Sequence, residues 1–197
     1  GQDVIDVDGK RVEDRAEAAA TWVVFHKPLG VLTTRSDPHG GATIYDVLPP
    51  ELKQLKYVGR LDKDAEGLLL LTDDGDAAHR LAHPSGEVER EYWIEVAGTV
   101  GPEVVRQLTE GVELGDGPAR AHRATVLDAG PVVSTMTVVL TEGRKREVRR
   151  MMSAVGHHVL RLKRTRFGPV TLGDVESGTW RALRGEELAA LLRAAGQ

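Results

Sequence analysis

Apolar residues fall in short runs separated by charged or Gly/Pro-containing turns. Two such runs flank the stretch 57–75. Tyr57, Val58 and Leu61 lead into a charged turn, Asp62 to Glu66, which Gly67 closes. Leu68 to Leu71 then form a second run long enough for a buried strand. Asp62 and Asp64 are therefore expected on a tight connection between two core strands. Loops held by a rigid sheet are where reacting groups are placed. Asp and Gly are also ordinary turn residues, so spacing alone favours a solvated turn over a catalytic one.

The remaining elements follow from the same patterning. Val7 to Val12 reads as a hairpin around Asp8-Gly9, and Arg15 to Thr21 as a linker. Trp22 to His26 is a strand stopped by Lys27-Pro28-Leu29-Gly30, and Val31 to Thr34 is expected to continue as a strand. Arg35 to Gly41 reads as a flexible loop, the candidate for a segment ordered by substrate. Short helices are predicted on either side of Pro49-Pro50, at Thr43 to Leu48 and Glu51 to Leu55. A further helix spans Gly75 to Ala82 and ends before Pro84. Val88 to Val96 alternates, with Val88, Arg90, Tyr92, Ile94 and Val96 on one face of a strand. Pro102 to Leu108 is helical; Thr125 to Leu127 and Val132 to Leu140 are strands. Lys145 to Val155 is a helix with a stripe of Val148, Met151 or Met152, and Val155, ended by Gly156. His158 to Lys163 is a strand, Gly168-Pro169 a turn and Glu186 to Ala195 a last helix. This order predicts an α+β domain with helices over one large sheet.

A chain of 197 residues fits one domain, or two small ones sharing a core. No apolar run is long enough to cross a bilayer and no signal-like N-terminus is visible. With no cysteine there is no disulfide or thiolate zinc site, as expected of a cytoplasmic protein. The formal net charge of −4 argues against a nucleic-acid partner, but its distribution reverses that. Residues 143–166 carry nine Lys/Arg against one acid, Glu147, a local balance of +8. So few acids in the segment leave almost no internal pairing, which points to a polyanion. No P-loop or dinucleotide fingerprint is present, and no cofactor is expected. Acidic residues at 62, 64, 66 and 73 with Gly67 also approach a calcium-loop spacing, although the flanks read as strands. His79 and His83 share a helical spacing without a supporting carboxylate motif and read as surface or capping residues.

Several stretches resemble, in order, the RsuA/RluB-type rRNA pseudouridine synthases. They are Lys27-Pro28-x-Gly30, then Gly59-Arg60-Leu61-Asp62-x-Asp64-x-x-Gly67-Leu-Leu-x-Leu-Thr72-x-Asp74-Gly75, then His83-Pro84-Ser85 with Arg90-Glu91-Tyr92. Glu142-Gly143-Arg144-Lys145-Arg146-Glu147-Val148-Arg149-Arg150-Met151 follows, then Leu162-x-Arg164-x-Arg166-Phe167-Gly168. The resemblance spans about residues 22–185. It implies a long mixed, mostly antiparallel sheet from two abutting subdomains with flanking helices and a central cleft. It also implies a cofactor-free conversion of uridine to pseudouridine in ribosomal RNA, with the large subunit favoured by the form of the motifs. Small-subunit rRNA, a non-catalytic RNA-binding module and a calcium-loop protein are the alternatives.

Asp62 matches the family's catalytic aspartate. Arg149 matches the guanidinium expected to keep Asp62 ionised and oriented, and Tyr92 the ring that lies against the everted uracil. Arg60, Arg144, Lys145, Arg146, Arg150, Arg161, Arg164 and Arg166 are the candidate phosphate contacts. No metal is expected, and the enzyme is expected to be a monomer without a membrane partner. Residues 1–20 are expected to be the remnant of an N-terminal RNA-binding domain plus linker, and 21–197 the catalytic domain. Ala65, Arg90 and His26 depart from the usual Ser or Thr, Lys and Asn, which bears on fine positioning rather than reaction class.

Overall fold

The computed structural model describes residues 6–7, 10–11 and 19–196. The first half of the chain forms strands β1 (Asp6–Val7), β2 (Lys10–Arg11) and β3 (Trp22–Lys27), helix α1 (Ile44–Val47), strands β4 (Lys56–Val58) and β5 (Glu66–Thr72), helix α2 (Gly75–Ala82) and strand β6 (Arg90–Ala97). Helix α3 (Pro102–Glu110) follows, then strands β7 (Val112–Leu114), β8 (Gly117–Ala119), β9 (Arg123–Ala129) and β10 (Val133–Leu140). Helix α4 (Glu147–Ala154), strands β11 (Val159–Phe167), β12 (Val170–Thr171) and β13 (Trp180–Ala182), and helix α5 (Gly185–Ala194) complete it.

One nine-stranded sheet runs β13-β3-β5-β11-β6-β10-β9, with β4 on β5 and β12 on β11. Every pairing in it is antiparallel except β5–β11, where Lys163 faces Glu66 and Arg164 faces Gly67. That parallel joint links the two halves of the sheet. It also forks one edge of β5: residues 66–67 pair with β11, whereas 70–72 pair with β4. The connection from β4 to β5 therefore emerges in the fork, at the seam of the molecule.

Strand β5 is buried along its whole length because both its faces are covered. Leu69 and Leu71 join Val23 and Phe25 under α1, α3 and α4, supplied with Ile44, Leu108, Val148 and Met151. Leu68 and Leu70 join Trp22 and Val24 under α2 and α5, supplied with Ala77, Leu81 and Leu191. Each fully buried leucine contributes about 1.5–3 kcal/mol, so this strand is the anchor of both layers.

Three differences from the sequence reading have physical causes. Gly67 does not close a turn; it lies inside β5 at φ +112°, where a Cβ would stand 2.3 Å from the Arg164 carbonyl oxygen. Only a glycine admits β11 at that distance. Val31 to Thr34 makes no strand but a single bridge, Leu32 to Thr43, because the segment is drawn to the β4–β5 connection through the Thr33 hydroxyl. The loop at 35–41 is pinned: the Asp37 carboxylate accepts from the amides of His39 and Gly41, at 3.1 and 2.7 Å. Arg35 donates to the Leu55 carbonyl at 3.0 Å and lies 4.0 Å over the Tyr45 ring. The β7–β8 hairpin, β12 and β13 carry too few apolar residues to have been legible. β1 and β2 pair as the expected hairpin, whose Asp8-Gly9 turn lies outside the described residues, as does most of the linker.

Candidate active site

Asp62 opens a β-turn in which the Ala65 amide donates to the Asp62 carbonyl at 3.0 Å. The turn is tied down around its whole length. The Thr33 hydroxyl donates to the Leu61 carbonyl at 2.8 Å and accepts from the Leu61 amide at 3.3 Å. The Gly30 amide donates to the Lys63 carbonyl at 2.9 Å. Lys27 Nζ donates to the Ala65 and Pro28 carbonyls at 2.7 and 2.9 Å, and Arg149 Nη2 donates to the Asp64 carbonyl at 2.7 Å. Main-chain groups that water would otherwise serve are thus taken by the protein, and Asp62 is carried on a fixed frame.

Its side chain remains 42% exposed and faces a cavity of about 360 Å³. The apolar wall of this cavity is Leu61, Leu140, Val148 and Leu162, with Tyr92 from β6 beside them. Tyr92 is buried because alternate residues of β6 point into the core. Arg60, Lys145, Arg146 and Arg149 supply cations around the same space. Across the turn lies a second, more open cavity of about 810 Å³, which shares Asp62, Lys145, Arg146 and Arg149 and adds Leu29, His158, Leu160 and Arg161. A partly apolar slot lined by the Asp62 carboxylate, by Glu147 already paired with Arg144, and by a cationic rim can take a planar uncharged ring and hold the phosphates on either side of it.

The guanidinium nearest Asp62 differs from expectation. Arg149 joins Asp62 in both cavities, but its Nε lies 3.4 Å from the Asp64 carboxylate and its Nη1 donates to the Val159 carbonyl at 3.3 Å. Arg146 is the residue at ion-pair distance from Asp62, at 3.9 Å, and it grips Asp64 with two bonds of 3.0 Å. Those bonds hold the Asp64 carboxyl below the usual carboxylate range. Sequence reasoning also passed over Lys27 as a member of the site. Its ammonium is fully buried, and burial pushes its pKa down to about 8 against the pull of Asp62, Asp64 and Glu66. Its place at the end of the buried strand β3 was the available signal.

The basic segment behaves differently from its composition. Within 143–166 pairing is confined to Arg144 and Glu147 among the described residues, as expected, but acids elsewhere in the chain pair with most of the remaining cations. Arg144 meets Glu142, Glu147 and Asp116 and bonds the Pro118 carbonyl at 2.6 Å, fastening α4 to the β7–β8 hairpin. Arg150 makes two bonds to Asp116, at 2.7 and 3.2 Å. Arg161 pairs with Glu66 and lies over Trp93; Arg166 faces Glu89 and Glu91. Arg164 is no phosphate contact: it is 2% exposed, with Nε donating to the Leu68 carbonyl at 2.8 Å inside the core. Arg60 and Lys145 are exposed at the cavity rim and have no carboxylate within 4.0 Å among the described residues. Arg90, the departure from the usual Lys, is buried and caps α2 through the carbonyls of Leu81 and Ala82.

The calcium-loop alternative is set aside by the same geometry. Glu66 and Gly67 belong to β5, and Asp64 and Glu66 already face arginines. Among the described residues no three His, Cys, Asp or Glu side chains form a metal cluster. His83 caps its own turn with Ser85, as read from sequence. Among the described residues no helix is long and apolar enough to cross a membrane.

Comparison with known proteins places this geometry in a family. A family model described as RNA pseudouridylate synthase matches residues 21–154. The chain is 43% identical over 196 residues to an uncharacterized RNA pseudouridine synthase of Mycobacterium tuberculosis, covering 98% of this chain and 76% of the relative. It is 44% identical over 185 residues to ribosomal large subunit pseudouridine synthase B of Salmonella typhimurium, covering 91% of this chain and 63% of that protein. A crystal structure of a pseudouridylate synthase superposes with a TM-score of 0.80 at 31% identity, covering 87% of this chain and 74% of the other. The archaeal box H/ACA Nop10–Cbf5 complex, at 18% identity and TM-score 0.57 over 77% of this chain and 49% of the other, shares the fold.

Proposed function

Because this chain belongs to the RNA pseudouridylate synthase family and is an isomerase of that kind, we propose that it converts a uridine of large-subunit ribosomal RNA to pseudouridine, with Asp62 as the reacting carboxylate. The observation that carries this reading is the pairing of Asp62 and Tyr92 in one cavity beside a cationic rim. The similarity to ribosomal large subunit pseudouridine synthase B supports the large subunit as the source of the substrate.

The reaction breaks the N1–C1′ bond, turns the uracil and joins C5 to C1′, after which the C5 hydrogen leaves and N1 is protonated. Atoms and electrons balance within the nucleotide, so no co-substrate is required. C1′ becomes electron-poor as the bond opens, and a carboxylate at that point stabilises or traps it. Tyr92 replaces the stacking that the base loses on leaving its neighbours. Arg149 holds the turn that aims Asp62, while Arg60 and Lys145 take backbone phosphates, which give affinity and position rather than sequence reading. The protein is proposed to act as a monomer in the cytoplasm, on free or assembling rRNA.

The test is base-resolved detection of pseudouridine in transcribed large-subunit rRNA after incubation with the purified chain. One discrete modified position is expected. Modification confined to small-subunit transcripts would move the target, and none in either would remove the reading.

A further inference from the structure

Arg146 combines features that the isomerisation itself does not need. It is a non-glycine residue in the left-handed region, φ +54°, at the cap of α4, a conformation that costs an L-residue about 1–2 kcal/mol. Its side chain is 42% exposed and stands between the two cavities, lining both. Both arms of its fork are engaged by Asp64, itself 47% exposed. The turn does not need this ion pair to keep its shape, because Arg149, Lys27, Thr33 and Gly30 already hold its main chain.

A guanidinium fork fits a phosphate as it fits a carboxylate, with two parallel bonds. We propose that Asp64 is a stand-in for RNA: it parks Arg146 in the free enzyme, and a phosphodiester flanking the everted uridine takes the guanidinium over on binding. This rests on the proposed function and adds a positioning residue to it. The exchange swaps one anion for another on the same cation, so the conformation of Arg146 is kept ready without RNA. It also sets affinity below what a free arginine would give, because the phosphate must displace a bound carboxylate.

The test is a double-mutant cycle on RNA binding, with Asp62→Asn as the background so that no turnover intervenes. The probe is transcribed large-subunit rRNA, with affinity measured across a salt series. Asp64→Asn is expected to tighten binding several-fold, and Arg146→Ala to weaken it and lower the salt slope by about 0.7–0.9, one phosphate contact. In the double variant the tightening by Asp64→Asn should vanish, because no fork remains to be released. Arg146→Lys should recover the slope more than the affinity. The proposal is overturned if Asp64→Asn tightens binding equally without Arg146, since mere removal of a negative charge would then explain it. It is equally overturned if Asp64→Asn leaves affinity unchanged or lowers it. Phosphate contacts are independent of sequence, so this outcome does not hinge on the modified position. Failure of the functional reading shows separately, as absence of pseudouridine formed by the parent chain.

Discussion

Arg149 donates to the Asp64 carbonyl at 2.7 Å and so ties the first turn of α4 to the turn that presents Asp62. The guanidinium thus meets the main chain two residues beyond Asp62. Arg149→Ala is expected to lower kcat about 10²-fold or more, the scale of an ångström of misplacement. KM for rRNA should move much less. Arg149→Lys should not rescue kcat, since a single ammonium cannot reach both the Asp64 and Val159 carbonyls. Single-turnover kinetics with saturating enzyme checks both.

Gly67 and Arg164 meet backbone to backbone at the parallel joint. Gly67→Ala forces a Cβ against the Arg164 carbonyl and amide and is expected to destabilise the chain by about 3 kcal/mol or more. Gly59→Ala is the control: it also sits at positive φ, +68°, but nothing lies within 4 Å of its Cβ. Only the conformational cost of about 1–2 kcal/mol should appear there. Urea unfolding of the two variants separates a steric from a purely conformational glycine.

Lys27 gives the fold a pH signature. Its pKa falls from 10.5 to about 8 in the folded chain, chiefly through burial. Between those values the unfolded chain binds more protons than the folded one, so stability rises with pH over that window. Below pH 8 the cost of burying the ammonium is constant. Lys27→Met should abolish the rise between about pH 8 and 10, read from denaturation midpoints at a series of pH values.

Arg164 and Arg161, two positions of one basic run, should part company on mutation. Arg164→Ala leaves the buried Leu68 carbonyl without its donor and should cost about 2–3 kcal/mol. Arg161 is half exposed but its partner Glu66 is buried, so Arg161→Ala should cost about 1–3 kcal/mol and, unlike Arg164→Ala, should also lower RNA affinity. Thermal unfolding and filter binding together distinguish them.

Much of this was legible in the sequence because it depends on local periodicity. The alternation of Val88 to Val96 fixed which face carries Tyr92, and α2 and α4 lie within a few residues of their expected bounds. What was not legible depends on residues distant in sequence meeting in space. The pairing of Arg150 with Asp116 and of Arg166 with Glu89 cannot be counted from a window of 24 residues, so the basic run looked unpaired. Gly67 read as a turn residue because its need for a missing side chain comes from a strand nearly a hundred positions away. Arg146, not Arg149, stands at ion-pair distance from Asp62 because the left-handed cap swings its side chain back over the turn, and no spacing rule signals that. Lys27 looked like part of a Pro-Gly turn, and its burial depends on the loop that folds back over it.

The central claim is that the carboxylate at position 62 performs the chemistry at C1′. The most direct measurement is tritium release from C5-tritiated uridine in transcribed rRNA, comparing the parent chain with Asp62→Asn at matched RNA occupancy. The parent should release the label of one uridine per transcript while the Asn variant binds the RNA and releases none above background. Equal release from both would contradict the account.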